Sequence, residues 1–171
     1  MIHLNIGSNL DSTHGSRYDN ILIAINLLIG SKIKVKKVSS FYETPSYPNS
    51  DFPKFLNVGL SIDYESQYLS LFKIIKLIEK KLGRIKTKKN DTRVIDIDLI
   101  DFKGVIKKTK ELILPHPRCH LRNFVLFPIL QIDPYWFHPI LKKNVQYLIN
   151  NLGQKSRIEI TRLKKNVNIG T

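Results

Sequence analysis

Apolar and polar residues follow two different periods along the first 102 residues. In residues 2–6 every second side chain is apolar, which is typical of a strand with one buried face. In residues 17–30 the apolar residues Ile21, Ile25, Leu28 and Ile29 lie one, three or four positions apart, which predicts an amphipathic helix that ends at Gly30. Similar patterns predict further strands at 33–42, 55–64 and 94–102, and a second helix at 66–82.

The order of these elements defines a fold class. The order β-α-β-β-α-β over residues 1–102 is the ferredoxin-like pattern, an antiparallel sheet with two helices packed on one face. We therefore expect an α+β protein. A C-terminal extension follows, with a short strand at 112–114, an apolar turn or short helix at 124–130 and a last helix at 141–152. We predict a single domain over residues 1–152 and a basic, weakly specified tail over 153–171.

Two polar segments interrupt these elements. Residues 45–53 contain three prolines, and a proline cannot donate a hydrogen bond to a neighbouring strand, so this segment is a predicted loop. Residues 84–93 are polar and basic and are a second predicted loop, which we expect to be mobile.

The chain has 171 residues and a formal net charge of +14, which is unevenly distributed. Residues 1–72 carry six basic and six acidic side chains, residues 73–122 carry fifteen and six, and residues 123–171 carry seven and two. The distribution excludes a uniformly basic surface. Because lysine outnumbers arginine 21 to 7, the position of an arginine says more about function than that of a lysine.

Several classes of protein are disfavoured by the composition. Cys119 is the single cysteine, which excludes an intrachain disulfide and a zinc site built from cysteines. The N-terminus has no basic segment leading into an apolar run, and the longest apolar stretch, at 21–29, is too short to span a bilayer. We expect a soluble, cytoplasmic protein that does not bind a membrane.

Asp96 and Asp98 form the most informative motif. Residues two apart on a strand point to the same side, so both carboxylates should face away from a core that takes Ile95, Ile97 and Leu99. Paired carboxylates suit Mg²⁺, which prefers oxygen ligands and is often shared with phosphates. Solvent-exposed aspartates are the alternative. Asp101 should point to the opposite face if the strand is regular.

Basic residues lie near this pair in the sequence. Arg84 and Arg93 bracket the basic loop, and a guanidinium can hold two phosphate oxygens. His116 lies between Pro115 and Pro117, which reduces its backbone freedom, and Arg122 follows. A charged, solvated loop and a simple turn are the alternatives for these two segments.

Three weaker motifs lie near the ends of the predicted strands. Gly7-Ser8-Asn9 joins a strand to a helix and is either a plain turn or an anion site. Thr44-Pro45 and Phe55-Leu56-Asn57 flank the proline loop, where an aromatic ring and an amide suit a flat, polar heterocycle. Burial of Phe55 in the core is the alternative.

Taken together and in order, these segments resemble the 6-hydroxymethyl-7,8-dihydropterin pyrophosphokinases of folate biosynthesis over about residues 2–140. The resemblance rests on seven segments: Gly7-Ser8-Asn9-Leu10, Ser39-Ser40-Phe41-Tyr42-Glu43-Thr44-Pro45, Phe55-Leu56-Asn57, Ile78-Glu79, Gly83-Arg84, Arg93 with Asp96 and Asp98, and Leu114-Pro115-His116-Pro117-Arg118 with Arg122 and Phe124.

The resemblance implies transfer of pyrophosphate from ATP to the pterin hydroxymethyl group, with release of AMP. It implies that Asp96 and Asp98 hold two Mg²⁺ ions and that Arg84 and Arg93 engage the triphosphate. The implied nucleotide-binding residues are Glu79, His116 and Arg122. The implied pterin pocket consists of Thr44, Pro45, Phe55, Asn57 and Phe124. The chemistry needs alignment and charge neutralisation, and we expect no essential general base.

The sequence departs from the family pattern in the second helix and in the basic loop. Lys76 replaces a glutamine and either approaches the nucleotide phosphates or points to solvent; we group it with the nucleotide-binding residues. Lys86 replaces a second arginine, the loop tryptophan is absent, and Asp91-Thr92 replaces Gly-Pro. These changes bear on loop closure and affinity.

Two other functions agree less well with the sequence. A nucleic-acid-binding ferredoxin-like module would suit the charge, but its central strands should carry aromatic residues where residues 94–102 carry aspartates. A regulatory domain of the same fold would explain neither the aspartates nor the arginines. We therefore expect ATP and the pterin as small-molecule partners, no nucleic acid, and a monomer.

Overall fold

A six-stranded antiparallel sheet forms the centre of the molecule. The computed structural model describes residues 1–46, 51–84, 92–165 and 167. The strands are β1 (Ile2–Ser8), β2 (Lys34–Val38), β3 (Tyr42–Thr44), β4 (Phe55–Asp63), β5 (Asp96–Phe102), β6 (Lys107–Lys108), β7 (Ile113–Leu114) and β8 (Thr161–Arg162), and the helices are α1 (Arg17–Gly30), α2 (Tyr68–Lys81), α3 (Asn123–Ile132), α4 (Val145–Asn150) and α5 (Gln154–Ile158).

The strand order confirms the predicted fold class. The sheet runs β5-β1-β4-β3-β8, β2 pairs with another part of β4, and β6 and β7 form a separate hairpin. Helices α1 and α2 pack on one face of the sheet, over a core to which β1 contributes Ile2, Leu4 and Ile6. The result is an α+β protein with the expected β-α-β-β-α-β arrangement.

The predicted strand 33–42 is two strands in the structure. The chain leaves β2 after Val38 and starts β3 at Tyr42. Between them, Ser39 donates its backbone N–H to Gly59 O at 3.0 Å and accepts from Gly59 N at its hydroxyl at 2.9 Å. The alternation of apolar residues lapses around this break, where two serines separate Val38 from Phe41.

A second layer, which the apolar pattern does not predict, covers the other face of the sheet. Helix α3 crosses β4 there, so closely that a Cβ at Gly59 would lie 2.6 Å from Pro128. Trp136 and α4 complete a second apolar core over Ile100 and Cys119. Glycine at position 59 is therefore required by close packing against α3.

Asp101 does not point to the face of the sheet that is expected for a regular strand. The register between β1 and β5 shifts between His3 and Leu4, so that His3 pairs with Asp101 and Asn5 with Asp98. One extra residue of β5 is accommodated there, and a bulge of this kind reverses the side to which later residues point. Asp101 therefore lies on the same face as Asp98, where it accepts a hydrogen bond from Trp136 Nε1 at 2.8 Å.

The segment after residue 152 packs against the sheet. Helix α5 is followed by β8, which pairs with β3 through Tyr42 opposite Arg162 and Glu43 opposite Thr161. Leu163 N then donates to Phe41 O at 2.9 Å. The division into a domain and a weakly specified tail remains a prediction, but this part of the tail has a defined place on the sheet.

Candidate active site

Asp96 and Asp98 lie at the beginning of β5 and point to the same side of it. Their neighbours Ile95, Ile97 and Leu99 are buried, as predicted from the alternation. Each aspartate side chain keeps about a quarter of its surface accessible. The strand thus presents two carboxylates on a face that a dissolved ligand can reach.

Arginines surround the two carboxylates. Asp96 accepts from Arg84 Nη1 at 2.8 Å through one oxygen and from Arg93 Nη1 at 2.6 Å through the other. Asp98 accepts from Arg122 Nη1 at 3.1 Å, and His116 Nε2 lies 3.9 Å from the same oxygen. Four basic side chains from three separate segments therefore converge on one aspartate pair, as predicted.

Burial and mutual repulsion affect the charges at this site. Burial raises the pKa of the Asp98 carboxyl, and the neighbouring Asp96 raises it further. Burial also lowers the pKa of the His116 imidazole, against the opposing attraction of Asp98. His116 is thus a neutral hydrogen-bonding group near neutral pH, and an added cation beside Asp98 would relieve the repulsion between the carboxylates.

The donor set at this position suits a hard cation. Both candidate ligands are partly exposed carboxylates on a single strand, and Mg²⁺ takes such oxygen ligands. The surplus of nearby arginines suits a polyanion that would bring its own negative charge. The residues present therefore fit a complex of Mg²⁺ with a polyphosphate.

Glu79 connects α2 to this strand. Its side chain is almost fully buried and accepts from Ile97 N at 2.8 Å, between the two aspartates in the sequence. The same oxygen contacts Arg84 Nη1, and the other accepts from Lys76 Nζ at 2.7 Å. Arg84 is therefore shared between Glu79 and Asp96.

Asn9 holds the loops around the site together, a role that is not apparent from its sequence motif. Its Oδ1 accepts from Arg93 N at 2.7 Å, and its Nδ2 donates to Pro53 O at 3.1 Å and Ser46 Oγ at 3.3 Å. Ser8 Oγ donates to Val94 O at 2.6 Å. The turn at 7–9 thus binds backbone from both predicted loops, and only its place after a strand could have signalled this.

The backbone of the 115–122 segment is attached to β5. His116 N donates to Ile100 O at 2.8 Å, and Cys119 N donates to His116 O at 3.0 Å. These bonds direct the imidazole towards Asp98. The structure therefore places the histidine between the two prolines beside the aspartate pair, with Nε2 3.9 Å from Asp98 Oδ2.

The predicted heterocycle-binding residues occupy two places. Asn57 Nδ2 donates to Thr44 Oγ1 at 3.3 Å across the β3–β4 pair, and Phe55, half-buried, begins β4 opposite Thr44. Phe124 lies in the first turn of α3, half-buried, with the Arg122 guanidinium 5.3 Å from its ring centre. Pro45 follows Thr44 and is half-buried. Parts of both predicted loops, 47–50 and 85–91, lie outside the described residues.

Another group of side chains of metal-ligating types combines two residues of the 115–122 segment with His138. Cys119, His120 and His138 bring ligand atoms within 4.8 Å of one another. His138 Nδ1, however, accepts from the backbone N–H groups of Ile140 and Leu141, so its other nitrogen carries the proton. Burial raises the pKa of the Cys119 thiol to about 12. A protonated imidazole nitrogen and a protonated thiol favour a packing role for this group.

Comparison with known proteins identifies related sequences and structures. A family model described as 7,8-dihydro-6-hydroxymethylpterin-pyrophosphokinase (HPPK) matches residues 3–134. The 2-amino-4-hydroxy-6-hydroxymethyldihydropteridine pyrophosphokinase of Aquifex aeolicus is 34% identical over 142 residues, covering 83% of this chain and 86% of that protein. The Folic acid synthesis protein FOL1 of Dictyostelium discoideum is 36% identical over 158 residues, covering 92% of this chain and 23% of that protein.

The solved structures agree in fold. The wild-type HPPK-DHPS of Plasmodium falciparum superposes with a TM-score of 0.67 at 14% identity, over 94% of this chain and 47% of that one. The chain spans about a quarter of the FOL1 relative and about half of the HPPK-DHPS chain. No helix in the described ranges is long and apolar enough to cross a membrane.

Proposed function

We propose that this chain, which belongs to the 7,8-dihydro-6-hydroxymethylpterin-pyrophosphokinase family, transfers pyrophosphate from ATP to 6-hydroxymethyl-7,8-dihydropterin. The acceptor is the hydroxymethyl group of the pterin. The observation that carries the proposal is the pair Asp96 and Asp98, ringed by Arg84, Arg93, Arg122 and His116. This arrangement suits a substrate with several phosphate charges and a metal.

In the proposed reaction the pterin hydroxyl oxygen forms a bond to the β-phosphorus of ATP. The bond from that phosphorus to the α–β bridging oxygen breaks, and AMP leaves with the electron pair. The hydroxyl proton passes to water or a phosphate oxygen, and no protein base is required. Such a transfer depends mainly on alignment of the reactants and on neutralisation of charge.

Asp96 and Asp98 are the proposed ligands of Mg²⁺, and the family resemblance favours two ions. Bound there, Mg²⁺ would reduce the repulsion between the phosphates and the attacking oxygen. The aspartates themselves fix where the phosphates lie, because both project from one rigid strand. The oxygen-only donor set supports this assignment.

Arg84 and Arg93 are the proposed partners of the triphosphate. Each contacts Asp96 through Nη1, and each would exchange this contact for phosphate oxygens when ATP binds. Their guanidinium charge would then stabilise negative charge on the departing AMP. Arg93 also has its backbone anchored to Asn9, which keeps it at the site.

The remaining residues divide between the two substrates. On the nucleotide side we place Glu79, His116 and Arg122, which lie around the carboxylate pair, and Lys76, which contacts Glu79. On the pterin side we place Thr44, Pro45, Phe55, Asn57 and Phe124. The amide of Asn57 would hydrogen-bond the ring edge and the two aromatic rings would stack on its faces. We also propose that the protein acts as a monomer in the cytoplasm, with residues 1–152 as its single domain.

The experiment that tests this function is a product assay. The purified protein is incubated with ATP, Mg²⁺ and 6-hydroxymethyl-7,8-dihydropterin, and AMP is measured. We expect AMP in amounts equal to the pterin pyrophosphate, and none when the pterin is omitted. A folded sample that releases no AMP would rule out the proposed activity. Nucleic-acid binding is not favoured, because the β5 aspartates would repel a phosphate backbone.

A further inference from the structure

Glu79 is a buried carboxylate with two basic partners of different accessibility. Its side chain is only 3% exposed, and both oxygens are in use. Arg84 approaches from the loop side and lies between Glu79 and Asp96, whereas Lys76 approaches from one helical turn earlier and is 45% exposed. Among the described residues, Ile97 N is the other donor to this carboxylate.

If the proposed function is correct, ATP binding changes the partners of the Glu79 carboxylate. When Arg84 turns to the triphosphate, it must leave both carboxylates. Asp96 lies where a metal would bind, and that cation would replace the arginines as the partner of its carboxylate. Glu79 lies deeper, and a buried carboxylate that loses its cation is costly unless another cation compensates it. Lys76, at 2.7 Å from the second oxygen, is the residue in place to do so.

We propose that Lys76 is a positioning residue for ATP binding: it compensates the buried charge of Glu79 and thereby lets Arg84 leave Glu79 for the phosphates. Its amine already contacts the carboxylate without occupying the oxygen that Arg84 and Ile97 use. The Phe72 ring lies 5.1 Å from the amine and helps to hold it over the helix. Lys76 therefore acts through Glu79 rather than by touching ATP.

A direct contact between Lys76 and a phosphate is the competing explanation, and a double-mutant cycle separates the two. The variants are Lys76→Gln, Glu79→Gln and their combination. The probe is a Mg²⁺-loaded ATP analogue with a methylene group in place of the α–β bridging oxygen, whose binding is measured by calorimetry. Glutamine at position 79 still accepts a hydrogen bond from Ile97 N but carries no charge.

We expect Lys76→Gln to weaken analogue binding roughly three- to tenfold, because a half-exposed cation is removed from a buried carboxylate. In the Glu79→Gln background the same substitution should change binding less than twofold. Lys76→Arg should retain wild-type affinity. In steady-state kinetics Lys76→Gln should raise KM for ATP and leave kcat within about twofold. This result is expected because the lost interaction would stabilise bound ATP equally in the ground state and in the transition state.

Lys80→Gln is the matched control, since Lys80 is exposed on the same helix and has no ion pair in the described part of the chain. It should leave analogue binding unchanged, which excludes a general effect of charge. The melting temperature of ligand-free Lys76→Gln should match that of wild type, because Arg84 still pairs with Glu79 there. An equal loss of affinity in both backgrounds would overturn the proposal in favour of direct contact, and no loss in either would also overturn it. Failure of wild type to form AMP would instead contradict the proposed activity.

Discussion

The substitution Asp98→Asn should lower activity without lowering the stability of the fold. In the ligand-free protein Asp98 is close to Asp96, and burial and this neighbour together raise the pKa of its carboxyl. A raised pKa means that ionisation of Asp98 costs folding free energy as the pH rises above the carboxyl's ordinary range. Asparagine keeps the shape and removes that cost. We therefore expect the metal-free variant to be as stable as wild type at pH 7, or more stable by up to about 1 kcal/mol.

The pH dependence of the free energy of unfolding tests the direction of this stability effect independently. At about pH 3, below the ordinary pKa of an aspartic acid, the carboxyl is largely protonated in both the folded and the unfolded protein and its cost is nearly absent. The stability difference between Asp98→Asn and wild type should therefore be smallest there and should grow towards pH 7. Urea unfolding in the presence of a chelator, followed by the fluorescence of the buried Trp136, measures it.

Activity should respond in the opposite direction. The substitution removes one of two charged ligands from the proposed metal position, and one such electrostatic contact contributes about 4 kcal/mol to transition-state stabilisation. Turnover should fall about a thousandfold in the AMP assay. Glu111→Gln, which removes an exposed carboxylate from the hairpin after β5, is the control for a change of net charge. Turnover within a few-fold of wild type, or a loss of more than about 2 kcal/mol in stability, would refute this account of Asp98.

Three further substitutions test separate contacts. Arg93→Ala should lower kcat more than it weakens binding of the ATP analogue, and a loss confined to affinity would contradict its role in the transition state. Asn9→Ala removes three hydrogen bonds to loop backbone and side chain, so it should cost about 2 kcal/mol or more in urea unfolding and also lower turnover; unchanged turnover would show that the Arg93 anchor is dispensable. Trp136→Phe leaves the Asp101 carboxylate without one donor and should cost about 1–3 kcal/mol, measured by circular dichroism, with turnover of the folded enzyme retained; loss of turnover alone would contradict a packing role.

Local patterns predicted much of the fold and the centre of the site. The alternation around Asp96 and Asp98 gave the correct faces, because a strand has a fixed period of two and the core takes every second residue. Helix α1 matches its predicted bounds, and its start is fixed by a capping box between Ser16 and Asp19. Both features depend on neighbours in the sequence, which a pattern can reveal.

Features that depend on distant residues were not predictable. The break after β2 depends on bonds between Ser39 and Gly59, and the orientation of Asp101 depends on a shift in pairing with β1. The sharing of Arg84 by Glu79 and Asp96 needs the packing of α2 against β5. Such contacts join residues far apart in the chain, and spacing alone does not encode them.

Strand β8 extends the region that must be kept when this protein is shortened or fused to another. The family match ends at residue 134, yet β3, which carries Thr44, is covered along its outer edge by Thr161 and Arg162. A version cut at residue 134 would leave that edge with free backbone donors and acceptors and would uncover the apolar side of Val125 and Ile129 beneath α4. It would retain the proposed site residues but expose surfaces that promote aggregation. The part of the chain needed for a stable fold therefore extends to β8, beyond the residues 3–134 that match the family.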